Sequence, residues 1–337
     1  MVQSDAWFES SDGTKLYVRR WLPDPFSTTV RPDSPSGAAV PSLAVVHIVH
    51  GMTENGGRYG RLAEKLCGAG IEVWAADQRG HGKTADLSVN DPGKGGILGH
   101  CTDKDGFKRV TADIADINEE IRKTRPGIPL FLLGHSWGSF IAQNYIAGGE
   151  IIDGCILSGT RGPDTFRIKT GHMLIALVAF ISGRRRASSL IRFFTDGPYN
   201  RPFRPNRTSF DWLSRDEAEV DAFMNDPVNG QLCSAGFYCD LARGLSLIHQ
   251  NETMARIRKD LPIYIFCGSA DPVGDMGTSP TALVNAYHSL GIKDLEFVLY
   301  PGARHETLNE TNREEVMNNL LSWIHRHMGP EQAMEGE

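Results

Sequence analysis

The chain lacks the features that mark secreted, membrane-spanning and nucleic-acid-binding proteins. Its N-terminus, MVQSDAWFESSDGTKL, has no positive segment followed by an apolar core, so we predict no secretory signal and a cytoplasmic location. The longest apolar run, MLIALVAFI at 173–181, is far shorter than the ~20 residues needed to cross a bilayer. A net charge of −6 argues against nucleic acid as a partner.

Metal and disulfide patterns are also missing. The HETLN segment that begins at His305 resembles the start of a zinc-binding HExxH helix, but Asn309 stands where the second histidine is required. We therefore predict no metal site and no cofactor. The cysteines show no CxxC spacing, and we predict reduced, mostly buried thiols at Cys67, Cys101, Cys155, Cys233, Cys239 and Cys267.

What the chain does have is a regular alternation of apolar strands and helical patterns. LAVVHIVHG (43–51), IEVWAAD (71–77) and IIDGCILSG (151–159) are typical of strands covered on both faces. FKRVTADIADINEEIRKT (107–124) repeats apolar residues at helical spacing. This alternation predicts an α/β fold, a mostly parallel central sheet with helices on both faces.

The alternation stops between Thr160 and about Gly244 and then resumes. The interruption predicts an inserted cap or lid at 160–244, with residues 1–159 and 245–328 forming the core. We expect 23–42, rich in proline, serine and threonine, to be a surface loop, and 329–337 to be a disordered tail.

The segment Gly134-His135-Ser136-Trp137-Gly138 has a strand pattern before it and a helix pattern after it. This is the context of the G-x-S-x-G turn, in which flanking glycines let the backbone push a serine side chain into the open. The turn also brings the hydroxyl near the positive end of a helix. Ser136 is therefore a candidate nucleophile.

A serine needs a base and an orienting carboxylate to become nucleophilic. Asp271 follows the strand pattern IYIFCGSA, and His305 follows the last strand, which gives the chain order serine, aspartate, histidine. Alone, an Asp-Pro pair is a common turn initiator and a histidine before a helix a common cap. Together at strand ends with Ser136, they predict a catalytic triad. The amides of Met52 and Trp137 are the predicted oxyanion donors.

WAADQRGHGKT (74–84) ends like a phosphate-binding P-loop. The first glycine of that motif falls at Asp77, and no helix pattern follows, so we reject a nucleotide-hydrolysing function. A non-catalytic binding protein on the same scaffold is a more serious rival, which an intact triad argues against.

The sequence resembles the monoacylglycerol lipase and lysophospholipase branch of the α/β-hydrolase superfamily. The resemblance is carried by VHGMTENGGRYGRLAEKLCGAGIEVWAADQRGHGKT, GHSWGS, GSADPVGD and YPGARHETLNE, while the cap segment GPYNRPFRPNRTSFDWLSRDE is closer to bacterial lysophospholipase-like members. It implies a serine esterase that cleaves single-acyl lipid esters through an acyl-enzyme. It also implies that Glu54 and Arg58 help to shape the polar end of the pocket. We predict these two residues and the cap residue Tyr199 as substrate-binding.

Other functions remain open at this point. A broad carboxylesterase or an aminopeptidase for small N-terminal residues would use the same fold and triad. An aminopeptidase would need an acidic pair to hold a substrate amine, and the sequence identifies none. The sequence gives neither the head group nor the oligomeric state.

The cap is predicted to bind the acyl chain and to touch lipid surfaces. Its run at 173–181 is apolar nearly all round, so it should roof the pocket or insert at an interface. The alternative, an ordinary core helix beside a solvated basic loop, fits the same pattern almost as well. The segment 184–207 holds one acid, Asp196, and seven arginines, which are Arg184, Arg185, Arg186, Arg192, Arg201, Arg204 and Arg207.

Overall fold

The structure is a computed structural model that describes residues 1–24, 42–163, 175–176 and 178–329. Most of the loop predicted at 23–42 and of the tail predicted at 329–337 lies outside these residues, as do Met173, Leu174 and Leu177 of the apolar run. Among the described residues, none of the helices is both long and apolar enough to span a bilayer.

One eight-stranded sheet forms the centre of the molecule, in the order β1-β2-β4-β3-β5-β6-β7-β8. Strands β3 to β8 run parallel to one another, which confirms the predicted fold class. The strands are β1 Val2–Glu9, β2 Lys15–Leu22, β3 Ala44–Val49, β4 Ile71–Asp77, β5 Leu130–His135, β6 Gly154–Ser158, β7 Ile263–Gly268 and β8 Leu295–Tyr300.

The strand β1 was not predicted from the sequence. It pairs antiparallel with β2, which pairs antiparallel with β4, so the two form a hairpin on one edge of the sheet. Nearly every residue of β1 is exposed. An edge strand that buries so little apolar surface carries no hydrophobic pattern that could reveal it.

The helices that follow these strands cover both faces of the sheet. They are α1 Gly60–Gly68, α2 Gly106–Thr124, α3 Trp137–Ala147, α4 Ser189–Thr195, α5 Glu217–Asn225, α6 Ala235–Ile248, α7 Asn251–Met254, α8 Thr278–Ser289 and α9 Arg313–His327. The apolar residues predicted to form one face of α2, Val110, Ile114, Ile117 and Ile121, are all buried.

Two hydrophobic clusters lie on opposite faces of the sheet. One packs α2, α3 and α6 against the sheet, and the other packs α1 and α9. The chain passes from β3 to β4 on one side and then returns to β5 on the other side of β3. A parallel sheet has its ligand crevice at such a reversal, beyond the carboxyl ends of the strands.

The cap boundary predicted at Gly244 falls inside the helix α6. A side chain at Gly244 would collide with the ring of Phe107 in α2, so this helix packs closely on the core. The shorter helices α4 and α5 and a 3-10 turn at Gly197–Phe203 precede it. The described cysteines are free and buried, as predicted.

Candidate active site

Ser136 lies between β5 and α3, at the carboxyl edge of the sheet. Its backbone has φ 51 and ψ −120, a conformation that costs energy for any residue with a Cβ. Its amide donates to the carbonyl of Ser158 at 2.9 Å, which ties the turn to the neighbouring strand β6. The strain is therefore held by the sheet and projects the serine side chain.

The two glycines that flank Ser136 provide space rather than unusual dihedral angles. A Cβ at Gly134 would collide with the carbonyl oxygen of Gly138, and a Cβ at Gly138 with that of Val49. Neither glycine has a positive φ, whereas Ser136 has one. The glycines therefore permit the turn by leaving room for neighbouring carbonyls, while the backbone strain itself lies at Ser136.

His305 and Asp271 are in direct contact. His305 Nδ1 lies 2.9 Å from Asp271 Oδ2, and the amide of Val273 donates to Asp271 Oδ1 at 2.8 Å. Because a carboxylate only accepts, Nδ1 carries the proton and Nε2 keeps its lone pair. Both side chains are almost completely buried, at 2% and 0% exposure for the whole residues.

Two other carboxylates that could have oriented His305 contact other groups. Asp275 lies 3.6 Å from the guanidinium of Arg161, and Asp240 binds Arg184 and the amide of Gly106. Asp271 is the carboxylate that contacts His305.

The environment of His305 shifts its proton affinity. Burial acts to lower the pKa of His305, but the neighbouring Asp271 carboxylate, then Glu306 and Glu54, raise the pKa above its usual value. The ring of His135 lies 4.9 Å away, and burial together with His305 lowers the pKa of His135 to about 4. His135 is therefore neutral at pH 7.

The Met52 amide is oriented by the residue two positions earlier in the chain. The amide of Gln78 donates to His50 Nε2 at 2.9 Å, so the proton is on Nδ1, which donates to the carbonyl of Gly51 at 2.8 Å. In a trans peptide the N–H points away from the carbonyl, so this bond fixes the direction of the Met52 N–H. Trp137 begins α3, where amides have no partner within the helix.

A cavity of about 1080 Å³ opens over Ser136. Phe140, Ile175, Tyr238, Leu241 and Leu245 are among its apolar lining residues, and Met52, Glu54, Ser136, Trp137, Tyr199, His305 and Glu306 also line it. It thus joins a predominantly apolar wall, suited to an acyl chain, to the polar groups of the catalytic edge.

Of the three predicted substrate-binding residues, two line the cavity and one does not. Glu54 and Tyr199 line the cavity. Arg58 does not: its guanidinium lies behind Glu54 and binds Glu54 and Glu306. Arg58 thus reaches the polar end of the cavity through two lining carboxylates, and a role for it in substrate binding stays a prediction.

Sequence reasoning missed two neighbours of His305. Glu306 follows it directly in the HETLN segment, which was weighed only as a metal motif. Trp212 of the cap lies with its ring 5.1 Å from the His305 ring, and its carbonyl accepts from the His305 amide. No local pattern marks Trp212, because its contact joins positions far apart in the chain.

The arginines of the cap are less available than their sequence clustering indicates. Arg184 binds Asp240, and Arg185 binds Asp103 with its Nη2 at 2.6 Å. Arg207 binds Asp221 at 2.7 Å. The acids are distant in sequence, so the local charge of +6 is partly neutralised in the folded chain.

One group of described residues has the spacing of metal ligands, away from the cavity. Asp294, Glu296 and His327 lie at the start of β8 and the end of α9. His327 Nε2 lies 3.0 Å from Asp294, and Arg326 binds both oxygens of Glu296. These contacts account for the cluster as ion pairing.

A mostly parallel sheet with a serine on a strained strand-to-helix turn defines the α/β-hydrolases. Comparison with known proteins agrees: residues 41–312 match the Serine aminopeptidase, S33, family, and the chain belongs to that family of hydrolases. This confirms the superfamily that the sequence motifs predicted.

Relatives that cover almost the whole chain are named as lipases. The mouse monoglyceride lipase is 26% identical, over 94% of this chain and 88% of its own length. The monoacylglycerol lipase of Mycolicibacterium smegmatis is also 26% identical, over 97% of this chain and 99% of its own.

Solved structures show the same fold. A thermostable carboxyl esterase from Bacillus coagulans, in complex with glycerol, superposes with a TM-score of 0.83 at 26% identity, covering 98% of this chain and 100% of its own. The Saccharomyces cerevisiae monoglyceride lipase, in complex with a substrate analogue, gives a TM-score of 0.72 at 23% identity, covering 98% and 97%.

Proposed function

We propose that this chain hydrolyses the ester of a monoacylglycerol, with Ser136 as nucleophile, His305 as base and Asp271 as the carboxylate that orients it. The observation that carries the proposal is the buried contact between His305 Nδ1 and Asp271 Oδ2, beside a cavity that both His305 and Ser136 line. Full-length similarity to monoglyceride lipases supports the substrate class.

The reaction would proceed in two steps. His305 Nε2 accepts the hydroxyl proton as Ser136 attacks the ester carbon, and the amides of Met52 and Trp137 donate to the oxyanion. His305 then gives the proton to the departing glycerol oxygen, leaving an acyl-enzyme. Water, deprotonated by His305, releases the fatty acid and restores Ser136. Every proton moves between these groups, so no cofactor is required.

Charge around the cavity supports an uncharged head group. Of the described lining residues, four are carboxylates and two are arginines, namely Glu54, Asp196, Asp275 and Glu306 against Arg161 and Arg192. Arg58, which binds Glu54 and Glu306 without lining the cavity, offsets part of this excess, and a glycerophosphate would add negative charge beside the remainder. A monoacylglycerol is therefore preferred over a lysophospholipid.

The cavity carboxylates are poorly suited to holding a substrate amine. Glu54 and Glu306 both bind Arg58, and Asp275 faces Arg161. An aminopeptidase would need such groups for the substrate. Ester hydrolysis makes no such demand.

The decisive assay compares four substrates: a 1-monoacylglycerol, a lysophospholipid with the same acyl chain, p-nitrophenyl esters of graded length and an amino-acid anilide. We expect the monoacylglycerol to have the highest kcat/KM and the anilide to show no turnover. Preferential anilide cleavage would contradict the proposal. Ser136→Ala should lower turnover by at least ~10³-fold with an unchanged melting temperature, and should abolish fluorophosphonate labelling.

We propose residues 160–234 as the cap and its apolar surface as a peripheral membrane contact. In the described part of the cap, Phe180 is 88% exposed, and Leu190, Phe193 and Phe194 are also exposed. Aromatic and aliphatic side chains displayed together favour insertion at a lipid interface. The arginines would add electrostatic attraction to anionic lipid, reduced by their ion pairs.

Vesicle sedimentation tests this contact. Phe193→Ser with Phe194→Ser should reduce binding to neutral and anionic vesicles alike, while Arg184, Arg185 and Arg186 changed to Gln should affect only anionic vesicles. Unchanged binding in both variants would leave the cap as a cover for the acyl chain alone.

A further inference from the structure

A buried arginine links two turns of the catalytic edge. Arg58 Nη1 donates to Glu54 Oε2 and to Glu306 Oε1, both at 2.6 Å, and its Nη2 donates to Glu306 Oε2 at 2.7 Å. The Arg58 side chain is 12% exposed, and those of Glu54 and Glu306 are 4% and 6% exposed. Such shielded, charge-assisted pairs with a two-pronged geometry restrict both partners strongly.

Glu54 connects this arginine to the turn after β3. Its Oε1 accepts from the amide of Gly51, the residue before Met52, and from the hydroxyl of Tyr59 at 2.9 Å. Burial would raise the pKa of Glu54, but Arg58 and the Gly51 amide help to hold it below its usual range. Glu54 is therefore a carboxylate that fixes the turn bearing the Met52 amide.

Glu306 connects the same arginine to the turn after β8. It directly follows His305, its amide donates to the carbonyl of Leu213 at 2.8 Å, and its Oε2 also accepts from Asn309 at 3.1 Å. The carboxylate oxygens of Glu306 thus bind Arg58, and Glu306 itself belongs to the turn that carries His305.

Arg58 is kept in place from the cap side as well. Its guanidinium lies 4.9 Å from the ring centroid of Phe223 in α5. It is separated from the cavity by Glu54 and Glu306, which line the cavity while Arg58 does not. A substrate group that reached Arg58 would have to displace one of these carboxylates.

We propose that Arg58 is a positioning residue: by binding Glu54 and Glu306 at once, it fixes the oxyanion turn relative to the His305 turn and neutralises two carboxylates at the catalytic edge. The inference rests on the proposed function, since the two turns matter to catalysis only if Ser136 is the nucleophile. It goes beyond the role implied by the family resemblance, in which Arg58 helps to shape the polar end of the pocket.

The proposal predicts a change in the proton affinity of the base. The charged or titratable groups that face His305 are Asp271, Glu306, Glu54 and His135, with Arg58 bound to two of them. Without Arg58, the carboxylates act on His305 uncompensated and should raise its pKa; without the Glu306 charge, its pKa should fall.

The experiment measures kcat and KM against pH for a 1-monoacylglycerol and for a p-nitrophenyl ester of the same chain length. Because His305 must be neutral to act as base, kcat/KM rises with pH through its pKa. This rise is the acidic limb of the pH profile. Arg58→Met should shift it to higher pH by roughly one unit, and Glu306→Gln should shift it to lower pH. Both should lower kcat by ~10-fold or more for both substrates, because the turns lose their alignment.

Two further variants separate positioning from general stability. Arg58→Lys keeps the charge but cannot bridge two carboxylates, so the limb should stay in place while kcat falls. Arg125→Met breaks a partly buried pair with Glu72 near the start of β4, in which Arg125 Nε lies 2.7 Å from the carboxylate and the two side chains are 27% and 0% exposed. It should lower the melting temperature without moving the limb.

A higher KM for the monoacylglycerol alone, with an unmoved limb, would show that Arg58 binds the head group and would overturn the proposal. A limb unmoved in both Glu306→Gln and Arg58→Met would do the same. If Arg58→Met does not fold, Glu306→Gln and Arg58→Lys still decide the matter. Activity surviving in Ser136→Ala would instead refute the proposed function, a result that the Arg58 series does not produce.

Discussion

The catalytic edge of the sheet and the cap above it are built in different ways. At the edge, Asp271 and His305 are buried and bound to each other. In the described part of the cap, Phe180 and Phe193 expose 88% and 62% of their surface. The proposed catalytic groups are thus held by buried contacts, whereas the described part of the cap exposes apolar side chains on its outer surface.

The ion pairs of the two regions differ in the same way. Arg79 and Asp113 in the core are both completely buried, while Arg185 and Asp103, which join the cap to the core, are about half exposed. A buried pair strongly penalises the loss of one partner, and an exposed pair is worth little. Changes at the edge should therefore have large effects, and changes in the cap small ones.

The largest effect is expected at Asp271. Asp271→Asn should lower kcat by about 10⁴-fold, because an amide holds His305 in the wrong tautomer and cannot stabilise the imidazolium. Thermal unfolding should show a folded protein. The control is Asp275→Asn, which should retain most activity. If Asp275→Asn silenced the enzyme and Asp271→Asn did not, Asp271 would be the wrong carboxylate.

Next comes the buried ion pair of Arg79. Arg79→Met leaves the buried Asp113 with Arg109 Nη2, at 3.1 Å, as its remaining cation, and should lower the free energy of unfolding by up to about 3–5 kcal/mol, measured in urea. Arg79 also binds Asp12 and Thr14, so its loss should loosen the β1–β2 hairpin. A loss of unfolding free energy below about 1 kcal/mol would contradict the stated difference between buried core pairs and exposed cap pairs.

Acid should destabilise the folded chain through its buried core histidines. Burial lowers the pKa of His47 to about 4 and, with His50 nearby, that of His81 to about 3. Unfolded histidines bind protons below about pH 6.5, so between that pH and pH 4 the unfolded state takes up more protons and stability falls as pH drops. Each group contributes up to about 1.4 kcal/mol per pH unit. A melting temperature equal at pH 7.5 and pH 5 would contradict this.

The smallest effect is expected at the exposed cap pair. Arg185→Gln should change the free energy of unfolding by less than about 1 kcal/mol and kcat/KM by less than tenfold, because solvent screens its pair with Asp103. Salt should reduce even this difference. A larger loss would mean that the cap is held to the core by this contact.

The residues of the proposed triad could be picked out from the sequence because each stands at the end of an apolar strand. Ser136, Asp271 and His305 follow β5, β7 and β8, and parallel strands bring such ends to one edge. The Arg58 link could not be predicted in this way. Its partner Glu306 lies 248 residues away, and a spacing of that kind carries no periodic signal.

The arginine count overstated the free positive charge of the cap for the same reason. Their acids, Asp103 and Asp240, lie 82 and 56 positions from Arg185 and Arg184, so a local charge count omits them. The edge strand β1 was missed because it buries almost nothing. Sequence patterns reveal what is local or apolar, and long-range polar contacts need the fold.

The course of α6 decides where this enzyme can be recombined with its relatives. Ser234 caps the helix by accepting from the amide of Phe237, and its own amide donates to the carbonyl of Gly99 at 2.8 Å. A chimera joined at 244 would splice two unrelated halves of a helix that packs on Phe107. A junction just before Ser234 keeps the helix, its N-cap residue and its packing on Phe107. A foreign lid grafted there must also supply acceptors for the amides of His305 and Glu306, which here donate to the carbonyls of Trp212 and Leu213.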